Sequence, residues 1–209
     1  MIVGTAKRLL AQVPIYVAVQ RIIGADRLRY RCLDELALGD GDTVIDVGCG
    51  PAYYFHRLPK VRYVGFDTSE RYIRYARQRF GSDQAEFRCA IFGQDDLATL
   101  PPADAVLLLG LLHHLSNEAS RTLLCLAGKA LAPGGRVIAV DTCFAPRQGR
   151  ISRWMSENDR GEYVREPEGF VSLARTAFHE VDGEIVDDAT RIPASYWLMR
   201  MRGPVSARK

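Results

Sequence analysis

Two carboxylates and two glycines set out the first chemistry that this chain can perform. Asp46 sits inside a short apolar run, TVIDV (43–47), and Gly48 and Gly50 follow it at once. A strand that loses its side chains on leaving the sheet opens its backbone to close approach by something bulky. A second apolar run, YVGF (63–66), ends in Asp67, about twenty residues after Asp46. A carboxylate at the end of a second strand is placed to accept hydrogen bonds from two ribose hydroxyls. The expected ligand therefore carries a ribose, most simply as an adenosine. The second group is the pair His113-His114. An imidazole titrates near neutral pH and can take a proton from a hydroxyl acceptor. His113 is preferred for the pocket because it is nearer Gly110, with His114 packing or capping the next helix; a structural role for both is the competing reading. Asp141, at the end of a later strand, either faces the pocket or caps a turn. His56 and His179 read as structural, and no set of ligands has metal-site spacing, so no metal is expected.

The elements that must position these groups alternate in texture. Apolar runs at 43–47, 63–66, 85–92, 103–112 and 136–142 read as strands. Between them YYFHRLP reads as part of a helix. SERYIRYARQRF (69–80) carries a helical apolar stripe with Ser69 as its cap. The segment from Ser116 reads as a helix stopped by Pro133-Gly134-Gly135. Runs that are apolar throughout, joined by short helical connections, predict a parallel sheet covered on both faces. Residues 1–40 read as a cap of one or two amphipathic helices. Residues 145–165 read as irregular and arginine-rich, 167–178 as a helix, and EIVDDATR and SYWLMRM as a closing strand pair. Residues 41–203 then form the main domain and 204–209 a loose tail.

The totals narrow the function classes. The 209 residues, 47% hydrophobic and 25% charged, suit one globular domain with a small cap. A net charge of +3 is too small to argue for nucleic acid as a partner, and none is expected. No apolar run reaches ~18 residues. The N-terminal stretch, cut by Pro14, Gln20 and Arg21, is not expected to be a signal peptide. Five scattered cysteines without a C-x-x-C fit a reduced, cytoplasmic setting.

Two adenosine cofactors compete for the glycine turn. A dinucleotide site would read G-x-G-x-x-G and set a pyrophosphate on a helix N-terminus. Here the series is Gly48-Cys49-Gly50-Pro51-Ala52-Tyr53, and Asp46 would repel a pyrophosphate. S-adenosylmethionine has a sulfonium, an ammonium and no phosphate, and is favoured. These residues bring a family into view. DVGCGPA (46–52), GFDTS (65–69), LLGLLHHL (108–115) and LAPGGRV (131–137) resemble the motifs of class I S-adenosylmethionine-dependent methyltransferases. The likeness is nearest to the small-molecule branch that includes the ubiquinone and menaquinone enzymes.

The resemblance implies a Rossmann-like, seven-stranded, mostly parallel sheet of order 3-2-1-4-5-7-6 with helices on both faces, plus the N-terminal cap. It implies that Gly48, Cys49 and Gly50 lie under the methionine part of S-adenosyl-L-methionine, with Asp46 helping to hold its amino group through the loop. Asp67 would take the ribose hydroxyls, with Thr68 beside the adenine. Ile91 and Phe92 would flank the adenine, and Gly110 would pass close to the sulfonium. Where the family usually has an acid for the adenine amino group this chain has Ile91, so a main-chain contact, Gln94 or Asp95 must substitute. The implied activity is methyl transfer to an oxygen or carbon centre of a small molecule by in-line displacement. A non-catalytic S-adenosylmethionine-binding protein and a nicotinamide-dependent oxidoreductase are the alternatives.

The acceptor must be gripped from outside the common sheet. Tyr16, Arg21, Tyr30 and Arg31 ahead of it, and Arg160 and Tyr163 after it, are the candidates. Arginines with interleaved aromatics suit an anionic or lipid-linked small molecule; solvated faces balanced by Glu157, Asp159 and Glu162 are the plainer reading. The first helix could serve as a lid, a dimer contact or a peripheral membrane contact, and monomer and homodimer both stay open.

Overall fold

The computed structural model of the protein describes residues 13–205 with the exception of Asp188. The first part of the expected cap and residues 206–209 of the expected tail lie outside the described residues. The rest of the cap is two helices, α1 (Val13–Ile23) and α2 (Ala25–Leu36). The sheet follows as β1 (Thr43–Val47), β2 (Arg62–Asp67), β3 (Ala85–Cys89), β4 (Ala103–Leu109), β5 (Leu131–Thr142), β6 (Phe178–Val186) and β7 (Tyr196–Pro204). Helices α3 (Glu70–Phe80), α4 (Asn117–Ala130), α5 (Arg150–Glu157) and α6 (Pro167–Ala174) lie between strands.

The strands lie in the order β3-β2-β1-β4-β5-β7-β6, as expected. β1 to β5 are parallel; β7 runs antiparallel to both β5 and β6. Each central strand is apolar on both sides because both faces are covered. Val44, Leu107 and Leu109 join the core under α1, α2 and α3, while Ile45, Val106 and Leu108 join the core under α4 and α6. β1 and β4 are central neighbours from which the chain moves on toward opposite edges of the sheet, to β2 and to β5, so a crevice opens beyond their carboxyl ends. No helix among the described residues is long and apolar enough to cross a membrane.

Several boundaries differ from expectation, each for a local reason. The helix expected to stop at Pro133-Gly134-Gly135 ends at Ala130, and those residues already belong to β5. A Cβ at Gly135 would meet the Ala103 carbonyl at 2.7 Å. The Pro-Gly-Gly run is thus a bulge pressed against β4, where the register shifts between Ala103 and Ala105. YYFHRLP makes only a 3-10 turn, Phe55–Arg57, because Tyr53 and Tyr54 are drawn into the core. The segment 145–165 holds a helix, α5, that apolar periodicity hides. Its inward positions are serines: Ser152 and Ser156 are buried and bond to Gln148, Ser195 and the Cys143 carbonyl. β7 continues to Pro204, the first residue of the expected tail, which pairs with Phe178.

Candidate active site

A cavity of about 860 Å³ occupies the crevice at the carboxyl ends of β1, β2 and β4. The turn after β1 forms its floor. Gly48 and Gly50 have φ of +77° and +54°, the left-handed region that glycine enters without steric cost. A Cβ at Gly48 would meet the Leu111 side chain at 3.1 Å, whereas one at Gly50 would project into open space. The amides of Gly48 and Cys49 both donate to the Phe66 carbonyl, at 2.8 and 2.9 Å, so the turn is clamped to the end of β2.

Asp67 completes that clamp. One carboxylate oxygen accepts from the Gly50 amide at 2.9 Å and the other from the Ser69 amide at 2.7 Å. Burial raises its pKa, and these two amide donors oppose the rise. A carboxylate has about four lone-pair sites, so two remain for a ligand in the cavity. Ser69 caps α3 through Tyr72, as its position suggests. Thr68, Ile91 and Phe92 also line the cavity. Ile91 is 81% exposed, an apolar side chain standing free at a pocket edge. Phe92 is buried and packs edge-on against Phe66 at 5.2 Å, so it is a core residue whose surface reaches the cavity. Gln94 and Asp95 are not on its wall.

Asp46 lies beneath the floor and not on it. It is fully buried, and its Oδ2 accepts from Tyr63 at 2.6 Å and Tyr54 at 2.8 Å. Its Oδ1 is buried with no hydrogen-bond partner. Burial pushes its pKa up to about 6 against the pull of Tyr63, Tyr54 and the nearby Arg29. Its route to a ligand runs through the turn above it.

The histidine pair is reversed from expectation. His113 is buried and does not line the cavity. Its Nδ1 bonds Asp141 Oδ1 at 2.7 Å and its Nε2 bonds Asp159 Oδ1 at 3.2 Å. Burial alone would lower its pKa, but the two carboxylates outweigh burial and raise it to about 9. An imidazolium held at both nitrogens has no lone pair to offer as a base. His114 is the one on the cavity wall. Burial, and then the neighbouring His113 charge at a ring distance of 4.1 Å, lower its pKa, so it is neutral near pH 7. Gly110, with φ of +80°, lets the chain turn so that this swap occurs just beyond β4.

Of the expected acceptor-gripping residues, Arg160 lines the cavity; Arg21, Tyr30, Arg31 and Tyr163 do not. Tyr30 bonds His56 at 3.3 Å, and Arg31 pairs with Glu35 and Glu184 on an outer surface. Tyr16 falls within α1. Arg29 was missed by spacing. It reaches the cavity from α2, lies over the Tyr53 ring at 5.5 Å, and stands 3.6 Å from where a Gly110 Cβ would be. Nothing in the sequence separates it from Arg27 and Arg31 on the same helix. Its half-buried position only emerges once Leu28 and Cys32 fix the inward face.

Residues 45–137 match the family model described as a methyltransferase domain. The match covers somewhat less than half of the chain. It contains the glycine turn, Asp67, Ile91, Gly110 and the histidine pair. Trans-aconitate 2-methyltransferase of Azoarcus sp. (strain BH72) is 36% identical over 115 residues, which are 52% of this chain and 42% of that protein. The 27-O-demethylrifamycin SV methyltransferase of Amycolatopsis mediterranei (strain S699) is 31% identical over 127 residues, 57% of this chain and 46% of that one. The chain thus spans less than half the length of these curated relatives. The N-methyltransferase NodS of Bradyrhizobium japonicum WM9, solved with S-adenosyl-l-homocysteine, superposes with a TM-score of 0.69 at 20% identity, over 97% of this chain and 98% of that one. The described residues share that protein's fold.

Proposed function

We propose that this protein is an S-adenosyl-L-methionine-dependent methyltransferase acting on an oxygen or carbon centre of a small molecule. The observation that carries the reading is the convergence of Gly48, Gly50, Asp67, Ile91 and Gly110 on one cavity at the carboxyl ends of the strands. The residues fit the cofactor. The open face of Gly50 admits a ligand against backbone, Asp67 has lone pairs left for ribose hydroxyls, and Arg29 offers a cation for a carboxylate. The buried, partnerless oxygen of Asp46 puts negative potential under the turn that would face the cationic amino group. When bound, the cofactor supplies a methyl group on a sulfonium that is already an activated leaving group.

The chain's own residues then have three tasks. The clamped turn and Asp67 would hold the cofactor in one place, so that an acceptor bound beside it would be oriented toward the methyl group it supplies. Leu111, Leu115 and Leu123 line the wall and exclude water. His114, neutral and on the wall, can accept the proton of a hydroxyl acceptor. Arg160 favours an acceptor that carries negative charge. The Azoarcus relative is named for an anionic acceptor, trans-aconitate, which makes it the first acceptor to try.

Calorimetric titration with S-adenosylhomocysteine, with NAD in parallel, tests the reading. Micromolar binding of the former alone supports it. NAD binding, or no binding of either, overturns it.

A further inference from the structure

His113 has a place in this site that proton transfer does not explain. It is the hub of a contact set joining three separate parts of the chain. Its imidazole bridges Asp141 on β5 and Asp159 beyond α5, and its amide also donates to Asp141 Oδ1 at 3.1 Å. The same Asp159 Oδ1 that receives Nε2 accepts from the Gly161 amide at 2.7 Å, and Asp159 Oδ2 accepts from Thr142 at 3.4 Å. Gly161 lies flat against the ring: a Cβ there would come within 2.2 Å of His113 Cδ2. The Tyr163 amide donates to the His113 carbonyl at 2.9 Å. Arg165 closes the far end by donating to the carbonyls of Leu112 and Leu115. Between these fastenings stands Arg160, on the cavity wall beside His114.

We infer that His113 is a positioning residue: held between Asp141 and Asp159, its ring pins the corner from Asp159 to Gly161 and so fixes Arg160 at the acceptor end of the cavity. The inference rests on reading this cavity as the reaction site. Asp159, at the start of the corner, is tied to His113 Nε2 at 3.2 Å and by a longer contact to Thr142 at 3.4 Å. Tyr163 and Arg165 are held by backbone carbonyls, so they stay in place when the tie is cut. The titratable and charged groups around the ring are Asp141 and Asp159, which bond it, the neutral His114 against it, Arg160 near His114 and, beyond the Leu112 carbonyl, Arg165. Two carboxylates against one imidazolium favour its protonated form. The pin therefore holds at neutral pH and slackens as the ring deprotonates.

The bond after Arg160 is a trypsin site inside the pinned corner, and cleavage of a folded protein follows local opening. The full chain and its His113→Gln and Asp159→Asn variants would be digested briefly with trypsin, scoring the Arg160–Gly161 cut against cuts elsewhere. Near pH 7, His113→Gln should be cut there about tenfold faster than the wild type, and Asp159→Asn, which keeps an accepting oxygen but loses the charge, about threefold faster. As pH rises past about 9 the wild type should approach the rate of Asp159→Asn. The ring carbons of His113 followed by NMR should titrate near that same pH, and at lower pH in Asp159→Asn. S-adenosylhomocysteine affinity should stay within about twofold in Asp159→Asn, since Asp159 is off the cavity wall. Equal cutting of wild type and Asp159→Asn, or a wild-type ring that titrates below neutrality, overturns the inference. If His113→Gln fails to fold, Asp159→Asn alone decides it. Absence of S-adenosylhomocysteine binding to the wild type would instead overturn the cofactor reading and leave the pin standing or falling on the other two measurements.

Discussion

At the β1–β2 end of the cavity the wall is mostly backbone. A glycine turn is clamped to β2 by three amide hydrogen bonds, and Asp67 spends one oxygen on each of two main-chain donors. At the β4–β5 end the wall is side chain, and what holds it is the ion set of His113, Asp141 and Asp159. The first end is rigid by covalent proximity: its parts lie within one strand-turn-strand unit. The second end is assembled from residues far apart in the chain, joined by charge. The contrast suits the proposed function, in which one end would hold the cofactor and the other a particular acceptor. It also predicts that the two ends fail differently, by loss of fold or cofactor at the first and by pH at the second.

The largest effect should come from beneath the backbone end. Asp46→Ala removes the acceptor shared by the buried Tyr54 and Tyr63 hydroxyls. Leaving two buried donors unmade should cost about 2–4 kcal/mol of stability, read by urea unfolding. Asp46→Asn keeps an accepting oxygen and should lose less. Its pH dependence has a defined sign. The folded pKa lies above the usual 3.8, so ionised Asp46 costs the native state stability. The wild type should lose ground to Asp46→Asn as pH climbs from 3.8 to about 6, and no more above that. A pH-independent gap would mean that the carboxyl is not the isolated buried acid described here.

Next in size is Asp67→Ala. A charged acceptor for ligand hydroxyls is worth roughly 1.5–3 kcal/mol, so affinity for S-adenosylhomocysteine should fall at least about tenfold. Unchanged affinity would remove Asp67 from the site.

The same contrast explains what could be read in advance. The turn after β1, the end of β2 and the apolar runs were legible because each is local. Glycine at positive φ, an acid at a strand end and an unbroken apolar strand are properties of a few consecutive residues. Strand order followed from a resemblance and holds in the structure. The partners of His113 were not legible. Asp141 and Asp159 lie 28 and 46 positions on, and only the fold brings them to one ring. Proximity to Gly110 pointed to His113 for the pocket, but the chain turns at Gly110 and again through the Leu112–His114 turn, which sends His113 inward and His114 outward. Helix α5 hid for a related reason: its buried face is serine, so it lacks the apolar period that betrays a helix.

The side-chain end should show its charge in a pH profile of stability. His113 has a folded pKa of about 9 against an ordinary 6.5. A raised pKa stabilises the native state fully below the ordinary value and loses that contribution as pH rises through the folded one. Thermal midpoints of the wild type relative to His113→Gln should therefore converge between 6.5 and about 9, the variant being flat across that window. A gap that stays constant through the window would show that the ring carries no raised pKa within it.

The smallest effects belong to two arginines two residues apart on α2. Arg29 turns into the cavity, over Tyr53 and beside Gly110, while Arg31 turns out to Glu35 and Glu184. Successive positions on a helix are 100° apart, so residues i and i+2 face different sides. Arg29→Gln should weaken S-adenosylhomocysteine several-fold, because a cation near a ligand carboxylate contributes on the order of 1 kcal/mol when half exposed. Arg31→Gln should leave that affinity unchanged and cost at most about 1 kcal/mol of stability, as exposed ion pairs do. Calorimetry on the two variants compares wall with surface within one helix. Equal losses would mean that α2 shapes the cavity as a unit, and that the charge of Arg29 does not reach the ligand.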